Sequence, residues 1–292
     1  MRKTAINPLL QDQGISPLTD HNIGARILRL GLSVTAFSML ESRLQVLFSK
    51  FMSDISNSAI PYRDHSDAFK TFVTVNAISG LKNEIDLKRG SIEKIRFAEK
   101  NITKFSASVL HPAMYNGFGF SPKGSNVGAD DVRDAFKAIG VQHPWRKLTE
   151  ITKDMGSARA DLESDFKNLA VARHRSAHNP NANIASTDLL TNIDVAGLVA
   201  TAVGALLQTL MPIFKTATDI SSLQSQCIAP TVIFRFLDLT PRGMWAEKSL
   251  AGKVMVRHAK LDDAVRVACA RRGNRAVVSR SASLVPLSLH SY

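Results

Sequence analysis

The sequence predicts a mainly α-helical protein, a helical bundle followed by a small basic C-terminal module that is either α+β or partly disordered. Three observations lead to this fold class. Apolar residues recur at intervals of three and four over most of the first 220 positions, a nearly continuous apolar stretch of helical length spans 195–214, and β-branched, strand-like segments occur only after about residue 229. We therefore predict a flexible N-terminal lead over 1–24, a helical domain over 25–220 and a basic module over 229–292.

The first predicted helix runs from about Gly31 to Asp54 and has one apolar face. A stripe at helical spacing forms that face: Phe37, Leu40, Leu44, Leu47, Phe48 and Phe51. Glu41 lies on the same stripe. Because a carboxylate on an apolar face is costly without a partner, Glu41 either pairs with a cation or lies at the edge of the stripe.

The middle of the chain predicts further helices over 66–80, 91–110, 130–139 and 144–155. The second of these should place five apolar side chains in the core: Ile92, Ile95, Phe97, Ile102 and Phe105. The stretch 111–131 is rich in glycine and can be interpreted as a phosphate-binding loop or as a plain connection. It has no G-K-[ST] motif and no clear preceding strand, which favours the plain connection.

The apolar stretch 195–214 can be a buried core helix or a minimal membrane span. Its twenty residues are just long enough to cross a bilayer. Gln208 and Thr209 interrupt it, Pro212 lies near its end, and no Trp or Tyr belt flanks it. These features favour the core helix and predict a protein that does not enter the membrane.

The charge of the chain points to a polyanionic partner. The formal net charge is +12, from 37 basic and 25 acidic residues. Such an excess favours nucleic acid as a partner. Neither Cys227 nor Cys269 lies in a metal-binding or disulfide pattern, and the N-terminus has no apolar core of a signal peptide. We therefore expect a cytoplasmic protein that needs neither a metal nor a cofactor.

The segment with catalytic potential is Arg173-His174-Arg175-Ser176-Ala177-His178-Asn179, at the end of a helix that begins near residue 162. Asn179-Pro180 ends this helix, because proline disfavours helical geometry in the residue before it. On a regular helix Arg173 and His178 are about 140° apart, whereas His174 and His178 share a face. Arg173 and His178 can therefore act together only if the helix distorts near its end or if two copies of the chain meet.

The residue types in this segment suit the cleavage of RNA without a metal ion. That reaction needs a base for the 2′-hydroxyl, an acid for the leaving 5′-oxygen and a cation for the phosphorane. An imidazole, here that of His178, can exchange a proton near neutral pH, and the guanidinium of Arg173 can clamp a phosphate through two N–H groups. His174 and Arg175 are auxiliary candidates. The alternative is structural, with His178 as a helix cap and Arg173 paired with Glu41.

Three segments together resemble the HEPN superfamily, and most closely its RiboL-PSP-HEPN branch. The first is SVTAFSMLESRLQVLFSKF at 33–51, with Glu41 inside its apolar stripe. The second is DDVRDAFKAIGVQHPWRKLTEI at 130–151, and the third is LAVARHRSAHNP at 169–180, which matches the R-[polar]-x-x-x-H signature. The resemblance covers about residues 25–220 and leaves the module after 229 without a family.

This resemblance implies an all-α bundle and a homodimer in which two motifs form one cleft. It further implies a metal-independent endoribonuclease that leaves a 2′,3′-cyclic phosphate, with Arg173 and His178 as the catalytic pair. His174, Arg175, Asn179 and Glu41 are the auxiliary candidates. Many such proteins are toxins or act in phage defence, so an antitoxin or a defence protein is an expected partner. The alternative is a non-catalytic module that binds nucleic acid or a protein through its basic C-terminal part.

Overall fold

The fold was analysed in a computed structural model that describes residues 6–14, 17, 19–105, 114–124, 126–248, 252–271, 275–282 and 286–290. The described chain is mainly helical with a small C-terminal sheet, which confirms the predicted fold class. Its helices are α1 (Asp20–Ile55), α2 (Asp67–Thr71), α3 (Ala77–Asp86), α4 (Ser91–Ile102), α5 (Ala129–Ala138), α6 (Pro144–Asp154), α7 (Leu162–His178), α8 (Ser186–Thr216), α9 (Ile220–Ile228) and α10 (Leu261–Ala270).

The centre of the bundle is the packing of α1 against α8, with α6 and α7 alongside. Phe37 of α1 contacts Phe166 of α7, and Phe51 of α1 meets Phe214 of α8 edge to face, with ring centroids 5.6 Å apart. All four rings are buried. The stripe predicted on the first helix is thus the face that forms the core, and burial of large aromatic side chains stabilises the packing of these helices.

The N-terminal part is not a separate lead in its described residues, contrary to the prediction for 1–24. Helix α1 begins at Asp20, capped by the hydroxyl of Thr19. Leu10 is buried, and its carbonyl oxygen accepts a hydrogen bond of 2.7 Å from Nη1 of Arg29, which also pairs with Asp12. The prediction differed because this segment is anchored through a buried arginine, which has no signature in the apolar periodicity.

The helix predicted over 66–80 continues past Gly80. Helix α2 leads through a π-helical turn, Phe72–Asn76, into α3. Gly80 lies inside α3, where its lack of a side chain lets the backbone carbonyl of Phe118 make direct contact. Gly117 and Gly119 approach α1 and the π-helical turn in the same way. These glycines allow the backbone to pack closely against other parts of the protein. Their role favours the interpretation of this part of 111–131 as a plain connection over that of a phosphate-binding loop.

The predicted core positions of α4 do not lie in the core. Helix α4 ends at Ile102, and Ile92, Ile95 and Ile102 are each more than half exposed. Phe97 is half-buried and packs on Phe118. Phe105 lies beyond the end of α4 and is half-buried, and residues 106–110 of the predicted helix lie outside the described residues. The prediction was wrong because periodicity defines an apolar face but not whether another element covers it.

The C-terminal module contains a sheet of five described strands and the helix α10. The strands are β1 (Ile233–Leu239), β2 (Trp245–Lys248), β3 (Val254–His258), β4 (Arg275–Arg280) and β5 (Pro286–His290), in the order β3-β2-β1-β4-β5. Strands β1 and β4 are parallel, and the other pairs are antiparallel. This sheet agrees with the strand-like segments that the sequence shows after about residue 229.

The sheet is packed directly on the helical bundle. On one face, Phe234 and Val278 join the bundle's core, whereas on the other face Leu237 and Val277 pack against α10. This alternation is the two-residue period of a strand that is buried on both sides. The module therefore continues the core of the bundle.

Two buried arginines account for part of the module's positive charge. Arg280 donates to both carboxylate oxygens of Asp238, at 2.7 and 2.9 Å, and lies over the ring of Phe236. Arg235 pairs with Glu247 on the opposite face of the sheet. Because these guanidinium groups are buried in ion pairs, they are not available to bind a polyanion.

Helices α1 and α8 are long and apolar enough to span a membrane by length and composition alone. In the apolar window of α8, 61% of the residues are buried within the protein, and the corresponding share in α1 is 39%. The stretch 195–214 lies in α8, and most of it contributes to the core of the bundle. The structure thus resembles a soluble domain, and burial accounts for the apolar composition of this stretch.

His65 makes the stability of this fold sensitive to acid. Its side chain is 4% exposed, its ring stacks on Phe69 with centroids 4.2 Å apart, and its Nε2 has no hydrogen-bond partner among the described residues. Burial lowers the pKa of His65 from 6.5 to about 4, while the nearby carboxylate of Asp64 opposes this shift. The folded protein therefore holds this imidazole in its neutral form.

We expect the free energy of unfolding to fall as the pH decreases from about 6.5 towards 4. The pKa of His65 is lower in the folded than in the unfolded chain, so its contribution is fully present above pH 6.5 and is lost as the unfolded state takes up the proton. The loss approaches about 3 kcal/mol. Urea unfolding at pH 7 and pH 4.5 measures it. His65→Phe keeps a stacked ring and should show a smaller acid-dependent loss; an equal loss in both proteins would contradict this role of His65.

Candidate active site at the end of α7

Helix α7 carries the Arg-His segment and ends in a well-defined turn. Asp161 caps its first turn by accepting hydrogen bonds from the backbone N–H groups of Glu163 and Ser164. At its other end the Asn179 N–H donates to the carbonyl oxygen of Arg175 at 2.9 Å, and Asn179 Oδ1 accepts from the N–H of Asn181 at 3.0 Å. The auxiliary candidate Asn179 thus stabilises the turn through its side chain.

His174 and His178 lie side by side on the exposed face of α7. Their ring centroids are 4.6 Å apart, and both side chains are exposed. Spacing of four residues on a helix produces this neighbourhood, as the sequence predicted. Two imidazoles next to each other at the surface can reach the same bound phosphate or ribose.

Arg173 lies on the side of α7 that faces α1. Its side chain is half-buried, and its Nε is buried with no hydrogen-bond partner among the residues that the structure describes. A buried donor without a partner is costly, so Arg173 is a group for which a bound anion would supply the missing acceptor.

Glu41 is held beside Arg173 by a loop rather than by a direct ion pair. Its Oε1 accepts a hydrogen bond of 2.7 Å from the backbone N–H of Val127, just before α5. Burial raises the pKa of Glu41, and the hydrogen bond from Val127 and the positive charge of Arg173 oppose that shift. Glu41 therefore influences Arg173 through its charge, which is weaker than the direct pairing considered as a structural alternative.

Arg175 lines a cleft of about 270 Å³ near the end of α7. The cleft lies between the end of α7 and the first turns of α8. Its lining residues are Ala172, Arg175, Ala182, Asn183, Ile184, Asp188, Thr191 and Asn192. The sequence named only Arg175 in this set, because the polar residues of 183–192 are typical of any loop and helix start.

A single copy of the chain does not bring Arg173 and His178 together. Helix α7 is α-helical through His178, so the angle of about 140° between these two residues persists. Arg173 faces α1, whereas His178 is exposed. The sequence allowed two arrangements, a distorted helix end or the meeting of two copies of the chain. The end of α7 has no distortion that brings Arg173 and His178 together, and the meeting of two copies stays a prediction.

Within the described part of the chain, no group of three or more His, Cys, Asp or Glu side chains is placed to hold a metal ion.

The fold and the site define a class of protein, a helical bundle with an arginine-histidine motif at the end of one core helix. The model of one family, RiboL-PSP-HEPN, matches residues 5–208, more than half of the chain. The chain belongs to the RiboL-PSP-HEPN family. The match includes all of the helices from α1 to α7, and it ends within α8, before the sheet. Searches of the curated proteins and of the solved structures gave no significant match.

Proposed function

We propose that this protein is a metal-independent endoribonuclease of the HEPN type. The observation that carries the proposal is that the last turns of α7 present both a buried guanidinium Nε without a described acceptor and two exposed, adjacent imidazoles. The family supports a nuclease role or another role connected with nucleic acid. Arg173 would supply the cation, and His178 the proton transfer.

The reaction would be an internal transfer of the phosphodiester. The 2′-oxygen attacks phosphorus and loses its proton to a base, the bond to the 5′-oxygen breaks, and that oxygen receives a proton from an acid. The products are a 2′,3′-cyclic phosphate and a 5′-hydroxyl. His178 would act as base or acid, His174 would assist it, and Arg173 would stabilise the charge on the phosphorane through its fork of N–H donors.

Glu41 would act as a positioning residue in this mechanism. Its carboxylate is anchored to the backbone of Val127. It also lies close enough to Arg173 for the guanidinium charge to reduce the upward shift of the Glu41 pKa. A fixed negative charge beside a guanidinium limits the directions that the cation can take. Glu41 would thus orient Arg173 towards a phosphate without contacting the substrate.

The active form would be a homodimer whose two α7 ends face each other. This arrangement follows from the divergence of Arg173 and His178 within one chain, because the Arg173 of one copy could then meet the His178 of the other. We further propose a cytoplasmic toxin or phage-defence effector, controlled by an antitoxin or a defence protein. The net charge of +12 favours the approach of RNA.

The test is the product of the purified protein acting on tRNA and mRNA in the presence of EDTA. We expect cleavage to continue, because the proposed chemistry uses only side chains. The new ends should be 2′,3′-cyclic phosphates and 5′-hydroxyls. Direct labelling of the new 5′ end by a polynucleotide kinase identifies the 5′-hydroxyl. Salt-sensitive binding of RNA without any product would instead favour the non-catalytic module.

A further inference from the structure

The cleft beside Arg175 has the size and the chemistry of a site for one heterocyclic base. Its volume of about 270 Å³ is slightly below the roughly 300 Å³ at which pockets for drug-sized ligands begin. The last two turns of α7 form one side, the first turns of α8 form another, and residues 182–184 of the connecting loop complete the cleft. The cleft therefore suits a small planar ligand and not a helix or a peptide.

Two opposite charges face this cleft without neutralising each other. Arg175 and Asp188 both line it and are both exposed. Neither side chain forms an ion pair or a hydrogen bond within the described residues, whereas Asp161 and Glu163 at the start of α7 both have such partners. A ligand that fills the cleft thus meets a free acceptor and a free donor.

Asn183 adds a second donor whose orientation is fixed by a buried contact. Nη2 of Arg29 donates to Asn183 Oδ1 at 3.1 Å, and Arg29 is 1% exposed and anchored to Leu10 and Asp12. Because a guanidinium can only donate, the amide oxygen must face Arg29. The amide Nδ2 of Asn183 is therefore the polar group that this side chain can offer to a ligand in the cleft.

We propose that this cleft is a guanine-binding subsite for the substrate RNA. Guanine carries two adjacent N–H donors, at N1 and at the 2-amino group, which a carboxylate such as Asp188 can accept together. It also carries the acceptors O6 and N7, which suit the donors of Arg175 and Asn183. Adenine, cytosine and uracil each lack the pair of adjacent donors.

The subsite lies next to the proposed catalytic residue, and it rests on the proposed function. Arg175 precedes His178 by three residues, which is a rise of about 4.5 Å and a rotation of about 60° along α7. A base in the cleft would therefore bring its own ribose and phosphate to the histidines. The subsite would make the enzyme prefer a guanosine at the position adjoining the cleaved bond.

The test compares RNA binding by two proteins that cannot cleave, His178→Ala and His178→Ala with Asp188→Asn. The probes are U-rich oligoribonucleotides with one guanosine, adenosine or inosine, and the readout is fluorescence anisotropy. Inosine lacks only the 2-amino group of guanosine. We expect the Asp188-containing protein to prefer guanosine over both others by between about 5- and 150-fold, and Asp188→Asn to lose that preference. The control Asp20→Asn, also in the first turn of a long helix, should keep it.

Binding and cleavage separate the subsite from the proposed activity. If the two non-cleaving proteins bind all three probes alike, the guanine subsite is wrong, even where the unmodified protein cuts RNA. If the guanosine preference depends on Asp188 but the unmodified protein yields no product, the subsite stands and the nuclease activity is wrong.

Discussion

Replacing His178 with alanine should lower the rate of RNA cleavage by about 100- to 10,000-fold, the usual contribution of a group that transfers a proton in the transition state. The side chain is exposed at the end of α7, so its removal leaves the core of the bundle unchanged. The measurement is the initial rate on a labelled RNA in EDTA, together with the thermal unfolding midpoint. We expect the rate to fall while the midpoint stays the same.

A matched control for this variant is His143→Asn. His143 is also exposed, and it precedes α6 in the left-handed region, with a φ of 50°, which asparagine tolerates. We expect this variant to cleave RNA at the original rate. Full activity of a folded His178→Ala protein would refute the assignment of His178, and a loss of activity in both variants would show that the effect is not specific to the motif.

The second large effect concerns the sharing of one active site between two copies of the chain. Arg173→Ala and His178→Ala should each be inactive alone, because each removes one member of the catalytic pair. When the two variants are unfolded together and refolded, a heterodimer can combine the intact Arg173 of one copy with the intact His178 of the other. If a dimer has two such sites, random mixing should restore about one quarter of the original activity.

The control for this experiment is a mixture of His178→Ala with the double variant Arg173→Ala, His178→Ala. No dimer in that mixture contains an intact His178, so it should stay inactive. A first mixture that also stays inactive, although size measurements show heterodimers, would contradict a site that takes Arg173 from one copy and His178 from the other. Activity in a protein that is monomeric throughout the assay would contradict the dimer itself.

Much of the helical site could be predicted from local sequence. The neighbourhood of His174 and His178 follows from their spacing of four, and the end of α7 follows from Pro180. Both are properties of a single helix. The partner of Glu41 could not be predicted, because the backbone N–H of Val127 has no sequence signature and lies 86 residues away along the chain.

The cleft behind Arg175 was also invisible in the sequence. Asn183 and Asp188 resemble ordinary residues of a loop and a helix start, and only the packing of α8 against α7 places them opposite Arg175. The same limit applies to the exposed isoleucines of α4 and to the anchored segment before α1. In each case the outcome depends on whether separate elements pack against each other.

The sequence by itself determined that the chain is a helical bundle with an arginine-histidine motif at a helix end, since helical periodicity and a terminating proline act within a few residues. Only the tertiary structure decided what each face meets. It joined the C-terminal sheet to the core of the bundle and left Arg173 with a buried Nε that no described group satisfies. The physical reason is that burial, charge pairing and cleft formation depend on contacts between separate elements, whereas helix formation depends on neighbouring residues.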